Sequence, residues 1–301
     1  ASYAPRLEVY LQFDSLDDHA LMDLRGARLS RIRQQALEAL EAAGLSTTLV
    51  AVVKRGVNDH EIGRIIDLGL RLPNVRHIEV HTITYTGQGG VSFPRDGRTS
   101  IYEVLTQIAA QTGGLLGVDD FVPSPCAHPL CYQIAYLLLD PAGGPPVSLA
   151  RIVGRDVLYE CLSEHLYIEP TARLEAAMQD GIARLWAEAD NPEAERTLGI
   201  LKHLIGEIFP RDRAIPREEA LRRSERAGKA VYIHSHMDEE TFDVERVAQC
   251  CDSNCYADGS TVPVCSYNVL YREKEARFMT KPRAWNERSG GQRPPGLRVV
   301  S

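Results

Sequence analysis

The first third of the chain alternates between two periodicities. Leu7–Phe13 (LEVYLQF) is a β-rich apolar run, and Ser30–Ala43 (SRIRQQALEALEAA) spaces its apolar residues as a helix does before Gly44 stops it. Ser46–Val53 (STTLVAVV) predicts a second strand. After the turn GVND, HEIGRIIDLGL carries the i, i+3, i+4 pattern of a short helix. Val75–Thr84 (VRHIEVHTIT) predicts a third strand, then a glycine-rich loop over 86–90 and a helix opened by Ser100, with Glu103 completing a capping box. Three successive strand–helix units predict parallel strands with right-handed crossovers. Parallel sheets are normally sealed on both faces and at their edges, so three such strands predict half of a barrel.

Residues 151–227 read as mainly helical. Stretches such as RLEAAMQDGIARLWAEA and ERTLGILKHLIGEIF are amphipathic, and their leucines, isoleucines and Trp186 predict packing rather than chemistry. PRDRAIPREEALRRSERAGKA is charged and punctuated by proline, which predicts a solvated connection. Polar residues gather where the early strands end: Gln12 and Asp14, then Lys54, Asn58 and Asp59, then Thr82, Thr84 and Thr86. Parallel α/β folds bind ligands at the carboxyl ends of their strands, which makes these site candidates. Asn58 and Asp59 are equally placed to cap the helix near His60.

Composition narrows the function. With 301 residues, 44% of them hydrophobic and 25% charged, the chain can bury one or two sizeable cores. A formal net charge of -7 argues against binding nucleic acid or anionic lipid through simple attraction. No apolar run approaches the roughly 18 residues that span a bilayer, and ASYAPRLEVY has no signal-peptide pattern, so a soluble cytoplasmic protein without a transmembrane segment is expected. A strand this close to Ala1 suggests that a segment precedes it.

The seven cysteines are bunched: Cys126 and Cys131, a lone Cys161, then Cys250, Cys251, Cys255 and Cys265. In a cytosolic chain such bunching favours metal over disulfides. Asp119–Tyr136 (DDFVPSPCAHPLCYQIAY) carries three prolines that fix the loop around two thiols, with His128 between them more in keeping with a loop residue than a ligand. In the second group, TFDVERVAQ predicts a helix leading to Cys250 and Cys251, DG marks a tight turn, and a short strand returns with Cys265. Spacing alone does not separate iron–sulfur from structural zinc, nor a local four-cysteine site from one shared with Cys126 and Cys131. Cys161, within YECLSEHL, reads as a small apolar thiol on a helix.

The strings YLQFDSLDDHALMDLRG, VVKRGVNDHEIG and HTITYTG together resemble the second half of the radical S-adenosylmethionine (SAM) barrel, in the branch that is similar to archaeal tetraether lipid synthase and its bacterial relatives. PCAHPLC, and the later segment running from Met237 and Asp238 through the double cysteine to PVCSYNVLYR, match that branch's auxiliary-cluster segments. The resemblance spans nearly the whole chain apart from the helical middle and the tail after Phe278. It implies an α/β fold: the second half of a partial (β/α)6 barrel over residues 1–115, followed over 116–301 by a mainly helical, cysteine-rich auxiliary-cluster region. It further implies that Gln12, Asp14 and Arg25 lie near the SAM ribose and carboxylate. Arg25 is the best suited of the three, because a guanidinium fork matches a carboxylate. A 4Fe–4S cluster is implied with ligands among Cys126, Cys131, Cys250, Cys251, Cys255 and Cys265.

Two departures stand out. Relatives place His after the double cysteine and Phe before the last one, where this chain has Ser253-Asn254-Cys255 and Val264. The CxxxCxxC loop that would hold the catalytic cluster does not occur in residues 1–301, so a preceding segment or a partner chain is expected to supply it. The implied activity is formation of a 5′-deoxyadenosyl radical that takes hydrogen from an unactivated carbon of a small-molecule or lipid substrate, with C–C bond formation on a lipid chain as its extension and peripheral membrane contact as the corollary. The competing expectation is a non-catalytic binding module stabilised by zinc or an iron–sulfur cluster. A SAM-dependent transferase working by polar chemistry lacks its usual Gly-rich strand–helix turn here.

Overall fold

The structure is a computed structural model that describes residues 7–87, 94–163, 171–187, 191–208, 210 and 213–272. Residues 88–90 of the expected glycine-rich loop, and the tail beyond 272, lie outside this range. The described residues sort into two compact units, one of residues 1–83 with 96–235 and one of 84–95 with 236–301.

In the first unit the three expected strand–helix repeats are present. Strand β1 (Glu8–Gln12) leads to α1 (Asp18–Arg25), capped by the Asp17 carboxylate and ended by Gly26 in the left-handed region, and then to α2 (Ser30–Ala42). Strand β2 (Ser46–Val53) leads to α3 (Ile62–Arg71), and β3 (Val75–Thr82) to α4 (Ile101–Gln111). The Ser100–Glu103 capping box forms as expected. Strands β1, β2 and β3 pair in parallel and in sequence order.

Later residues extend the same sheet. β4 (Val122–Pro123), β5 (Tyr132–Leu138) and β6 (Val147–Ser148) precede the helices α5 (Leu149–Val153), α6 (Arg155–Cys161), α7 (Ala172–Ala187), α8 (Pro192–Ile208) and α9 (Arg217–Ala227). The chain then returns as β7 (Gly228–His234), which pairs parallel to β3 and antiparallel to β5. The order is β1-β2-β3-β7-β5-β4, with β6 on β5: a mixed α/β sheet, parallel at its first four positions. Much of the charged stretch expected as a connection is therefore the ordered helix α9 and the start of β7. Its charges lie on a helix whose inner face packs Ala220 into the second core.

The two sheet faces differ. Leu49, Ala51, Val53, Ile78, Val80, Val231 and Ile233 pack against Leu37 of α2, the isoleucines of α3, and Val104 and Ile108 of α4. Gly69 of α3 is required by this approach, since a Cβ there would stand 2.6 Å from Ile78. Lys229 projects to the same face, buried, and its Nζ donates to the carbonyls of Gly69 and Leu72 at 2.6 Å each. It thereby satisfies carbonyls at the α3 carboxyl end that have no helical partner. Burial pushes its pKa down to about 8. A second core forms among α5–α9, where Leu158, Leu174, Met178, Leu201 and Leu204 cluster as the helical periodicity predicted. Cys161 packs at its margin, and burial raises its pKa, consistent with an apolar thiol.

In the second unit Asp238 is fully buried and accepts hydrogen bonds from Tyr85 N, Glu240 N and Thr241 Oγ1. α10 (Val244–Ala248) starts at an Asp243 cap, and β8 (Ser253–Cys255) and β9 (Thr261–Pro263) form a hairpin around the Asp258-Gly259 turn. Cys265 follows on the short helix α11 (Val264–Ser266), rather than on the expected returning strand.

Candidate functional site

The loop after β1 is organised by Asp14, which is fully buried. Its Oδ1 accepts from Gln12 Nε2 (2.7 Å), Arg25 Nη2 (2.7 Å) and Val52 N (3.0 Å). Its Oδ2 accepts from Arg25 Nε (2.7 Å) and Arg33 Nη2 (3.0 Å). Burial alone would raise this carboxyl's pKa, but the hydrogen bonds and charge of Arg25, the Val52 amide and the Arg33 charge hold it below the usual carboxylate range. Gln12, Asp14 and Arg25 are thus brought together as expected, in one network. Within it the Arg25 side chain keeps 34% of its surface exposed, and Asp14 keeps none.

Neighbouring candidates are largely absorbed by structure. Asn58 is buried. It donates to Asp14 O (2.7 Å) and Val52 O (2.8 Å) and accepts from Lys54 N (2.8 Å), tying the β1 and β2 loops together instead of capping a helix. Asp59 accepts from Gly56 N (2.9 Å), Lys54 Nζ meets Asp23 at 2.9 Å, and Ser15 donates to the buried Glu61. Thr82 donates to Ser235 Oγ at 2.9 Å.

The sheet face away from α2–α4 carries chemistry that the strand pattern held but the expected site did not include. In VRHIEVHT the polar residues His77, Glu79 and His81 alternate with the apolar ones, and β7 adds Tyr232 and His234 at the same period. Parallel register sets His77 beside Ala230, Glu79 beside Tyr232 and His81 beside His234, while antiparallel β5 sets Tyr132 beside His234. Glu8 of β1 accepts from Thr48 Oγ1 (2.6 Å) and lies 3.0 Å from His77 Nδ1. Burial raises the Glu8 pKa, and these two partners outweigh it to leave it lowered. Glu79 lies 3.0 Å from His81 Nε2 and 3.9 Å from His234 Nδ1. Tyr132 meets His234 edge-on at 4.8 Å and stands 5.8 Å from Tyr232. The result is a face of imidazoles, phenols and carboxylates, half-buried except for the buried Tyr232.

The Cys126–Cys131 loop joins β4 to β5 and stands where β7 ends: Ser235 N donates to Cys131 O at 2.9 Å and Ser124 N to Tyr132 O at 3.1 Å. Cys126 is exposed with Ser124 Oγ 3.1 Å from its sulfur, and Cys131 is half-buried. His128 accepts the Leu130 amide at Nδ1 (3.1 Å), as a loop residue would. In the second unit Cys251 and Cys255 are exposed, Cys250 is half-buried, and Cys265 is buried, accepting Met237 N at 3.3 Å with His236 Nδ1 3.8 Å away. None of the six is in a disulfide. Reduced thiols on short loops, one sulfur already accepting a backbone amide, fit the donor set of an iron–sulfur cluster.

No protein-family model matches this chain. Among curated proteins it is similar to the 7,8-dihydro-6-hydroxymethylpterin dimethyltransferase of Methanocaldococcus jannaschii, 26% identical over 304 residues that cover 92% of this chain and 59% of the relative. The chain thus spans about three-fifths of that relative's length. No helix among the described residues is long and apolar enough to cross a membrane.

Proposed function

We propose that this chain is part of a radical SAM enzyme that modifies a carbon of a polar, planar heterocycle of the pterin class. The observation that carries the reading is the sheet face away from α2–α4, where Glu8, His77, Glu79, His81, Tyr132, Tyr232 and His234 offer hydrogen bonds and aromatic surfaces beside the Cys126–Cys131 loop. The similarity to a pterin dimethyltransferase supports both the enzyme and its radical SAM class. In this reading β1–β3 are half of a barrel whose inner face is the polar one, and a segment or chain outside these residues holds the catalytic cluster.

SAM bound to that cluster would supply a radical able to take hydrogen from an unactivated carbon. The residues here do the rest. Arg25, held by Asp14 with Gln12, would offer its guanidinium to the SAM carboxylate. Gln12 and Asp14 thus act as positioning residues. The four ligands of an auxiliary 4Fe–4S cluster would come from among Cys126, Cys131, Cys250, Cys251, Cys255 and Cys265. Tyr132 and Tyr232 would form walls for the heterocycle, and the Glu8–His77 pair would accept and donate along its polar edge.

A lipid chain suits this face less well. An apolar cavity of about 100 Å³, lined by Leu174, Met178, Leu204 and Ile208, does exist, but His77 and Lys229–Ala230 border it at the strand starts, away from His81 and His234. The test is binding of 6-hydroxymethyl-7,8-dihydropterin, followed by its fluorescence. Saturable binding weakened at least tenfold by Tyr232→Ala is expected, and binding that ignores this change would overturn the assignment of the face. The non-catalytic module remains the second reading, favoured by four cysteines lying within one small unit. It predicts stoichiometric zinc and a colourless protein after anaerobic reconstitution with iron and sulfide.

A further inference from the structure

We propose that Glu79, His81 and His234 form a binding site for a divalent transition metal at the carboxyl ends of β3 and β7. His81 and His234 are register partners on adjacent parallel strands, and Glu79, two residues before His81, points to the same face. Both imidazoles face one carboxylate oxygen: Glu79 Oε1 lies 3.0 Å from His81 Nε2 and 3.9 Å from His234 Nδ1. His81 and His234 each also offer a ring nitrogen within 4.8 Å of one on the other. Ligands bonded at about 2.1 Å around a tetrahedral or octahedral ion stand roughly 3.0–3.4 Å apart. One of these distances already meets that range, and a modest side-chain rotation brings in the other.

An ordinary ion pair uses one imidazole per carboxylate. Here two imidazoles approach one carboxylate oxygen, as donors around a shared cation would. The side chains are 19%, 12% and 13% exposed for His81, Glu79 and His234, shielded yet reachable. Tyr132, edge-on to His234, fixes that ring from the side. Two imidazoles and one carboxylate suit Mn(II), Fe(II) or Zn(II) and leave coordination positions open for an oxygen or nitrogen donor of a ligand. The site uses none of the six cysteines as a ligand and does not depend on the radical chemistry proposed above.

Mn(II) is the probe, because its preference for oxygen and imidazole donors sets it apart from the soft thiolates. The experiment is a titration of the full chain with Mn(II), read by electron paramagnetic resonance, together with electron spin-echo modulation of the bound ion. One saturable Mn(II) per chain with nitrogen modulation from imidazole is expected. Affinity should fall at least tenfold in His81→Ala, His234→Ala and Glu79→Gln and stay unchanged in Cys126→Ser and Cys251→Ser. The spin-echo measurement needs only the unaltered protein and so stands even where a variant fails to fold. Absence of saturable binding, bound Mn(II) without nitrogen modulation, or binding kept in all three site variants each overturns the site, and none of them bears on whether SAM or a pterin binds.

Discussion

Replacing Asp14 with Ala tests the physics of the site directly. The carboxylate is fully buried and accepts five hydrogen bonds, three of them from two guanidinium groups. Its removal leaves Arg33 buried and facing Arg25 without the intervening negative charge, and Arg33 Nη1 already has no hydrogen-bond partner among the described residues. Breaking a buried ion pair from one side typically costs about 3–5 kcal/mol. With a urea dependence of about 3 kcal/mol per molar, the midpoint falls by roughly 1–1.7 M. The pH dependence supplies a second signature. Because the folded pKa of Asp14 is depressed, its contribution is fully present above the unfolded value of about 3.9 and is lost as pH falls through the folded value. Asp14→Asn should therefore flatten the acid limb of the stability profile. Urea melts across pH 2–7 measure both effects, and a variant within about 0.5 kcal/mol of the parent at pH 7 would refute the network's structural role.

Four further outcomes follow from the same geometry. Lys229→Met should remove an alkaline rise in stability: between the folded pKa of about 8 and an unfolded value of about 10.4 the unfolded chain holds the extra proton, so the parent gains stability there and the variant does not, as paired urea melts at pH 7.5 and 10 would register. Gly69→Ala forces its new methyl against Ile78, and thermal melts should show a loss of about 1–3 kcal/mol; an unchanged midpoint would mean that α3 shifts freely over the sheet. Arg25→Ala should weaken SAM binding in calorimetry without lowering iron content, and unaltered affinity removes Arg25 from the site. Cys126→Ala or Cys265→Ala should each lower the iron-to-protein ratio after reconstitution, and an unchanged ratio excludes that cysteine as a ligand.

The early strands and helices were legible because each carries its own period and its own stops: Gly44 after α2, and Ser100 with Glu103 before α4. The clustering of Gln12, Asp14 and Arg25 was legible from a recognisable string. What the string does not display is that Asp14 is enclosed, since Val52 and Arg33, which complete its shell, come from other elements. The His and Tyr face was present in the alternation of VRHIEVHT, yet a half-polar period-two strand reads as solvent-facing until its neighbours are known. β7 was hidden because GKAVYIH follows a charged helix and precedes the cysteine segment, and local pattern does not reveal that it pairs with a strand about 150 residues earlier.

That late strand has a consequence for how the chain reaches its native state. β3 is complete by Thr82, but its neighbour β7 does not emerge from the ribosome until Gly228–His234. During the intervening synthesis, β3 has one edge without its final partner while β5, the other neighbour of β7, waits as well. Closing so long a loop is slow, and exposed strand edges are aggregation templates. Nascent chains halted before residue 228 should thus be the most aggregation-prone, and chaperone demand should fall sharply once β7 has cleared the exit tunnel.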